Sequence, residues 1–249
     1  MSKRLDGKVA IVTGASKGLG AEIARQFAAE GASVVVNYSH SKDAADAVVG
    51  EIDRAGGKAV AVQADMSDEA QVRRLFAEAH RAFGPLDILV NNAGVYDFQP
   101  LENLSLELFR RHFDLNVYGY LTAIREGVQY MRAGSSIINM SSTVTIFGPS
   151  NASVYTATKG AIDALTRALS NELAPREIRV NAIKPGVVDT EGVEAGGFLT
   201  GAFGKALVEE TPLGRLGRSE DVAPAAVYLA SDESAWMTGE YITMAGGQR

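Results

Sequence analysis

The feature that most constrains this chain is a regular alternation of short β-branched runs with segments of helix length. The runs fall at residues 9–13, 33–37, 59–64, 88–91, 136–140, 179–183 and 241–244, giving seven strand candidates. Between the first two, Leu19, Ile23 and Phe27 recur at helical spacing, and Gly31 supplies a stop. Residues 67–84 are punctuated as a helix: Ser67 can cap, Asp68 and Glu69 suit the positive end of the dipole, and Gly84-Pro85 terminates. Strands with apolar residues on consecutive positions are expected where helices cover both faces of a parallel sheet. The expected fold is therefore α/β, a doubly wound parallel sheet of about seven strands. A chain of 249 residues suits one such core, so residues 1–249 are read as a single domain. The one irregular stretch, glycine-rich residues 189–211, reads as a mobile substrate lid.

Bulk properties exclude several classes of function. The net charge is −6, acids and bases are interspersed, and no basic run would neutralise consecutive phosphates, so nucleic acid is not an expected partner. The absence of cysteine excludes disulfides and thiolate chemistry and agrees with a reducing cytoplasm. No apolar run approaches the ~20 residues needed to cross a bilayer, and Met1 to Gly7 is followed by no signal core. A cytoplasmic protein without a membrane anchor is expected. His40, His80 and His112 lack ligand-like spacing with carboxylates, so they read as surface residues and no metal site is expected.

Directly after the first strand comes Thr13-Gly14-Ala15-Ser16-Lys17-Gly18-Leu19-Gly20, followed by an amphipathic helix. Glycines let the backbone turn tightly and approach a pyrophosphate, and the free amides of a helix start attract its charge. Such a turn also joins strand to helix in proteins that bind no nucleotide. Later in the chain stand Asn91-Asn92-Ala93-Gly94, after the fourth strand, and Tyr155 with Lys159 four residues on. With TGxxxGxG, NNAG and YxxxK in this order, the chain resembles the short-chain dehydrogenase/reductase family over essentially its whole length.

The resemblance implies a Rossmann-type fold, a nicotinamide cofactor, and interconversion of a ketone and a secondary alcohol by hydride transfer. Gly14, Ser16, Lys17, Gly18, Leu19 and Gly20 would hold the cofactor phosphates, Asp65 and Met66 would meet the adenine, and Asn92, Ala93 and Gly94 would line the cofactor. Asp65 also reads as a turn residue after its strand. Pro185, Gly186, Val188 and Thr190 match the segment that holds the carboxamide. The second strand ends in Asn37-Tyr38-Ser39, with Tyr38 at the position where the family's acidic residue meets a free ribose. No carboxylate there repels a 2′-phosphate, while Lys17 adds positive charge and Ser39 a hydroxyl, so NADP(H) is favoured and NAD(H) remains the alternative. Lys17 also reads as a solvated loop lysine and Tyr38 as a residue stacking loosely near adenine, while His40 has the alternative of approaching a 2′-phosphate.

The chemistry is carried by a helix in which Tyr155 and Lys159 occupy neighbouring turns of one face. A free phenol has a pKa of about 10, and a nearby ammonium lowers it by favouring phenolate. By resemblance, Tyr155 exchanges the proton, Ser142 hydrogen-bonds the substrate oxygen, Lys159 lowers the tyrosine pKa and binds the nicotinamide ribose, and Asn116 holds a water joining Lys159 to solvent. Each has a plain structural reading as well, the Tyr–Lys pair as a helix-surface contact among them. Val95, Tyr96, Phe98, Thr143, Val144, Phe147, Phe198 and Leu199 are candidates for an apolar substrate pocket. Lys184 departs from the smaller residue expected before the Pro-Gly pair. Relatives of this pattern include 3-oxoacyl-acyl-carrier-protein reductases, glucose dehydrogenases and many ketone reductases, so the substrate stays open. The family also implies a homotetramer with residues 105–131 and the Tyr155 helix at one interface. An NAD-dependent alcohol or sugar dehydrogenase and a catalytically silent cofactor-binding regulator are the alternative functions.

Overall fold

The computed structural model of the protein describes residues 3–191 and 201–248. Seven strands form one parallel sheet: β1 (Val9–Val12), β2 (Ser33–Tyr38), β3 (Lys58–Gln63), β4 (Leu86–Asn91), β5 (Met131–Met140), β6 (Arg179–Pro185) and β9 (Tyr241–Met244), in the order β3-β2-β1-β4-β5-β6-β9. A second, two-stranded sheet pairs β7 (Val188–Asp189) with β8 (Gly217–Arg218). The helices are α1 (Gly18–Ala29), α2 (Lys42–Arg54), α3 (Glu69–Phe83), α4 (Leu106–Phe113), α5 (Gly119–Gly127), the single turn α6 (Val144–Phe147), α7 (Ser153–Leu173), α8 (Gly201–Glu209) and α9 (Ser219–Ala230).

Alternation along the strands explains how both faces are buried. Val12, Val34, Val36, Ile88 and Val90 pack in one layer with Ile23 and Phe27 of α1, Val48 and Ile52 of α2, and Val222 and Leu229 of α9. Ile11, Val35, Leu89 and Ile137 point the other way, onto Leu75 and Phe76 of α3 and Ala123 and Ile124 of α5. Each strand therefore needs apolar residues at successive positions, which is the pattern the sequence carries.

Three local readings are corrected. The cap of α3 is Asp68, whose carboxylate accepts from the amides of Ala70 and Gln71, while Ser67 donates to Asp65 and is spent on the preceding turn. Strand β5 starts five residues early, at Met131, because Arg132, Ala133 and Gly134 bulge outward before the register resumes at Ser136, and no β-branched run marks that segment. His112 is fully buried rather than on the surface: its Nε2 accepts from the Asp97 amide at 3.0 Å and its Nδ1 lies 2.9 Å from the Leu108 carbonyl. His40 and His80 are exposed. Within the segment read as an irregular lid, Gly201–Glu209 forms a helix, and residues 192–200, with Phe198 and Leu199, lie outside the described residues. Among the described residues no helix is long and apolar enough to cross a membrane, and no cluster of His, Asp and Glu is arranged to hold a metal.

Candidate active site

The sheet order reverses between β1 and β4, and crevices at the carboxyl ends of strands form at such reversals. A groove of about 720 Å³ opens there. It is lined by Gly14, Ser16, Lys17, Gly18, Leu19 and Gly20 on one side, Tyr38, Ser39, Asp65 and Met66 at one end, and Asn92, Ala93, Gly94 and Thr190 towards the other. Two of its glycines are dictated by geometry. Gly14 has φ +61°, and a Cβ there would stand 2.9 Å from the Ala93 Cα. At Gly20 a Cβ would lie 2.5 Å from the Asn92 amide nitrogen and 2.6 Å from the Gly14 carbonyl oxygen.

Two residues assigned to the groove by sequence are heavily engaged by the protein. Asn37 accepts from the Gly14 amide at 3.1 Å and donates to the carbonyls of Val62 and Ala64, so it ties the glycine loop to β2 and β3. Asn92 donates to the carbonyls of Thr13 and Gly14, bracing the loop from β4. Asp65 accepts from the Ser67 amide and hydroxyl, which realises its turn reading while leaving it on the groove wall. The end of β2 presents no carboxylate: Tyr38 is nearly buried, and Ser39 and His40 complete the lining.

The groove continues into a second cavity of about 290 Å³, and Leu19, Asn92, Gly94, Val95, Tyr96 and Thr190 border both. Ser142, Tyr155, Lys159, Pro185, Gly186 and Val188 all line this cavity. Much of the remaining wall is apolar, from Phe98, Val144, Phe147, Pro149 and Leu207 among others. Of the candidate pocket residues, Val95, Tyr96, Phe98, Thr143, Val144 and Phe147 are all present. Pro149, two residues after Phe147, Leu207, from the segment read as a lid, and Gln248, from the far end of the chain, also line it and were not named from sequence, since none carries a local motif.

The Tyr155 ring centre lies 6.2 Å from that of Tyr96 and 5.9 Å from that of Phe98. Ser142 lies beside the phenol and acts to lower its proton affinity. Lys159, on the next turn of α7, is buried and donates to the Met140 carbonyl at 2.7 Å, with its Nζ 5.7 Å from the Tyr155 ring centre and 5.4 Å from that of Tyr120. Burial pushes the Tyr155 phenol up to about 12, with Ser142 opposing. Desolvation is the largest influence on the phenol here, and the Tyr96 ring neighbour adds to it. Burial also brings Lys159 down to about 8, against the charge of Asp163 one turn along.

Asn116 sits in a π-type turn (Asp114–Tyr118) between α4 and α5, a distortion that often marks functional positions. Its amide accepts from the Val95 N–H at 2.9 Å and donates to the Val95 carbonyl at 2.8 Å and to Thr158 at 3.2 Å. It thereby fixes the loop bearing Tyr96 and Phe98 against α7.

Comparison with known proteins agrees with this arrangement. The family model described as enoyl-(acyl carrier protein) reductase matches residues 14–249. An uncharacterized oxidoreductase of Methylorubrum extorquens is 52% identical over 249 residues, covering 100% of both chains. Versicolorin reductase 1 of Aspergillus parasiticus is 40% identical, covering 98% of this chain and 97% of its own. The crystal structure of a short-chain dehydrogenase from Burkholderia cenocepacia in complex with NADP superimposes with a TM-score of 0.92 at 35% identity, covering 98% of this chain and 99% of the other. The chain belongs to the short-chain dehydrogenase/reductase family, and it is an oxidoreductase.

Proposed function

We propose that this enzyme is an NADP(H)-dependent reductase that converts an apolar ketone to a secondary alcohol, with Tyr155 as proton donor. The observation that carries the reading is the position of Ser142, Tyr155 and Lys159 in an apolar cavity continuous with the glycine-loop groove. The groove fits a dinucleotide: its loop is stripped of Cβ atoms where the walls approach, and the start of α1 offers free amides to a phosphate. Gly14, Ser16, Lys17, Gly18, Leu19 and Gly20 would hold the phosphates, Tyr38, Ser39, Asp65 and Met66 the adenosine end, and Asn92, Ala93, Gly94, Pro185, Gly186, Val188 and Thr190 the nicotinamide end. NADPH, when bound, supplies the hydride.

The chain's own residues do the rest. Ser142 donates a hydrogen bond to the ketone oxygen, where negative charge develops. Tyr155 gives its Oη proton to that oxygen, and general-acid catalysis of this kind is worth roughly 10²- to 10⁴-fold. Because burial keeps the phenol protonated, it is ready to donate throughout the neutral range. Lys159 in its charged form stabilises the phenolate left behind. Asn116 holds the loop that forms the cavity wall beside Tyr155. Versicolorin reductase 1 and the NADP complex of the Burkholderia cenocepacia enzyme support a reductive direction and this cofactor.

Titration with NADPH and with NADH, followed by nicotinamide fluorescence, tests the cofactor. Tighter NADPH binding is expected, because no carboxylate at the end of β2 opposes a 2′-phosphate. Lys17→Glu is expected to weaken NADPH by about tenfold while changing NADH much less. Equal losses overturn the role given to Lys17.

The same reading includes a cytoplasmic homotetramer. On α4 and the following turn, Leu106, Phe109 and Tyr118 are exposed, and Phe109 stacks on Phe113 at 4.2 Å. Such apolar exposure suits an interface. Sedimentation equilibrium is expected to give four chains per particle, and monomer alone at working concentration defeats this part.

A further inference from the structure

Lys184 stands outside the proton chemistry described above, yet it is built into the wall behind Ser142. Its side chain is only 13% exposed, and its Nζ lies 2.7 Å from an oxygen of Asp163, itself 19% exposed. The ammonium also sits over the Tyr241 ring, 4.4 Å from its centre, and donates to the Thr145 hydroxyl at 3.2 Å. Thr145 passes the contact on, donating at 3.1 Å to the carbonyl of Ser142. On the other side, the second Asp163 oxygen accepts from the hydroxyl of Ser141 at 2.6 Å. Tyr241 Oη donates to the Asp163 backbone carbonyl at 2.5 Å, joining β9 to the same point of α7.

We propose that Asp163 and Lys184 are positioning residues that hold Ser142 in register with Tyr155. The residue before Ser142 is held by Asp163, and the backbone of Ser142 is reached by Lys184 through Thr145. Asp163 lies two turns along α7 from Tyr155, so one rigid helix carries both the phenol and the anchor for the serine. Lys184 lies directly before Pro185 and Gly186, and the Thr143 amide donates to the Pro185 carbonyl at 3.0 Å, which ties the β6 end into the same unit. A charged pair with little exposure is costly to desolvate and is weak evidence of stabilisation for its own sake. Fixing the geometry of a reacting group is a use that accounts for it, because a displacement of about 1 Å at such a group can cost roughly 100-fold in rate.

This inference rests on the ketone reductase reading, and its test separates the two. Lys184→Met is expected to lower kcat by about tenfold, with KM for the ketone and the dissociation constant of NADPH changed by less than about twofold. Lys184→Arg is expected to restore most of the loss, since a guanidinium can pair with the carboxylate and lie on the tyrosine ring. Removing one partner of the pair can unfold the protein, so the double variant Asp163→Asn/Lys184→Met, which leaves no unpaired charge, is measured beside it. A folded double variant with wild-type kcat overturns the proposal, as does failure of Lys184→Arg to recover the rate. Crystal structures of the wild type and the double variant give a readout independent of turnover. Displacement of Ser142 Oγ relative to Tyr155 Oη is expected; an unmoved serine overturns the proposal whether or not the wild type reduces any ketone tried. Absence of turnover by the wild type itself counts against the parent reading alone.

Discussion

Replacing Tyr155 by phenylalanine lowers kcat for ketone reduction by about 10³-fold, while NADPH binds with an affinity close to that of the wild type. The ring keeps its contacts with Tyr96 and Phe98, so the substitution removes only the acid. Loss of a positioned proton donor is worth roughly 10²- to 10⁴-fold. Ser142 can hydrogen-bond the oxygen, but its own hydroxyl is far too weak an acid to release a proton. The wild-type pH profile carries the same argument. Tyr155 is held protonated up to about 12, so the alkaline limb of reduction belongs to Lys159, which loses its proton near 8. Rates are therefore expected to fall as pH rises through about 8, with a limb near the tyrosine value contradicting the assignment. Full turnover by Tyr155→Phe would revive the silent cofactor-binding alternative.

The second large effect is on the groove. Gly20→Val is expected to weaken NADPH binding by at least about 100-fold, measured by nicotinamide fluorescence, with the fold retained in circular dichroism. Any Cβ at this position meets the Gly14 carbonyl at 2.6 Å and the Asn92 amide at 2.5 Å, and the first of these is backbone that cannot rotate away. The glycine loop must then move, and its free amides lose their aim at a phosphate. Undiminished binding by this variant would mean that the loop does not hold the cofactor. Ketone turnover is expected to fall in parallel at low NADPH and to recover in part when NADPH is raised.

These two predictions draw on different kinds of information. The glycine loop is legible in sequence because its demands are local: a turn, a close approach and a helix start within eight residues. The strand pattern is legible for a related reason. Residues such as Val34, Val35 and Val36 are apolar in succession because helices cover both sheet faces, and that requirement is written at every strand position. By contrast, the early start of β5 rests on a pairing between Leu86 and Met131 that no run of β-branched residues announces. His112 read as a surface residue because its spacing gives no hint of the Asp97 amide that it accepts from.

By itself the sequence determined the alternation of elements, the glycine loop after β1, and the helical spacing that sets Tyr155 and Lys159 on one face. All of these depend on neighbours within a turn or a strand. Tertiary structure decided the rest, because burial and long-range contact are properties of the assembled chain. Only there does Asn37 become a brace for the glycine loop, Asn116 a clasp on Val95, and Lys184 a partner for Asp163. The proton affinity of Tyr155 belongs to the same class: residue spacing predicts a phenol lowered by an ammonium, but desolvation in the cavity raises it instead.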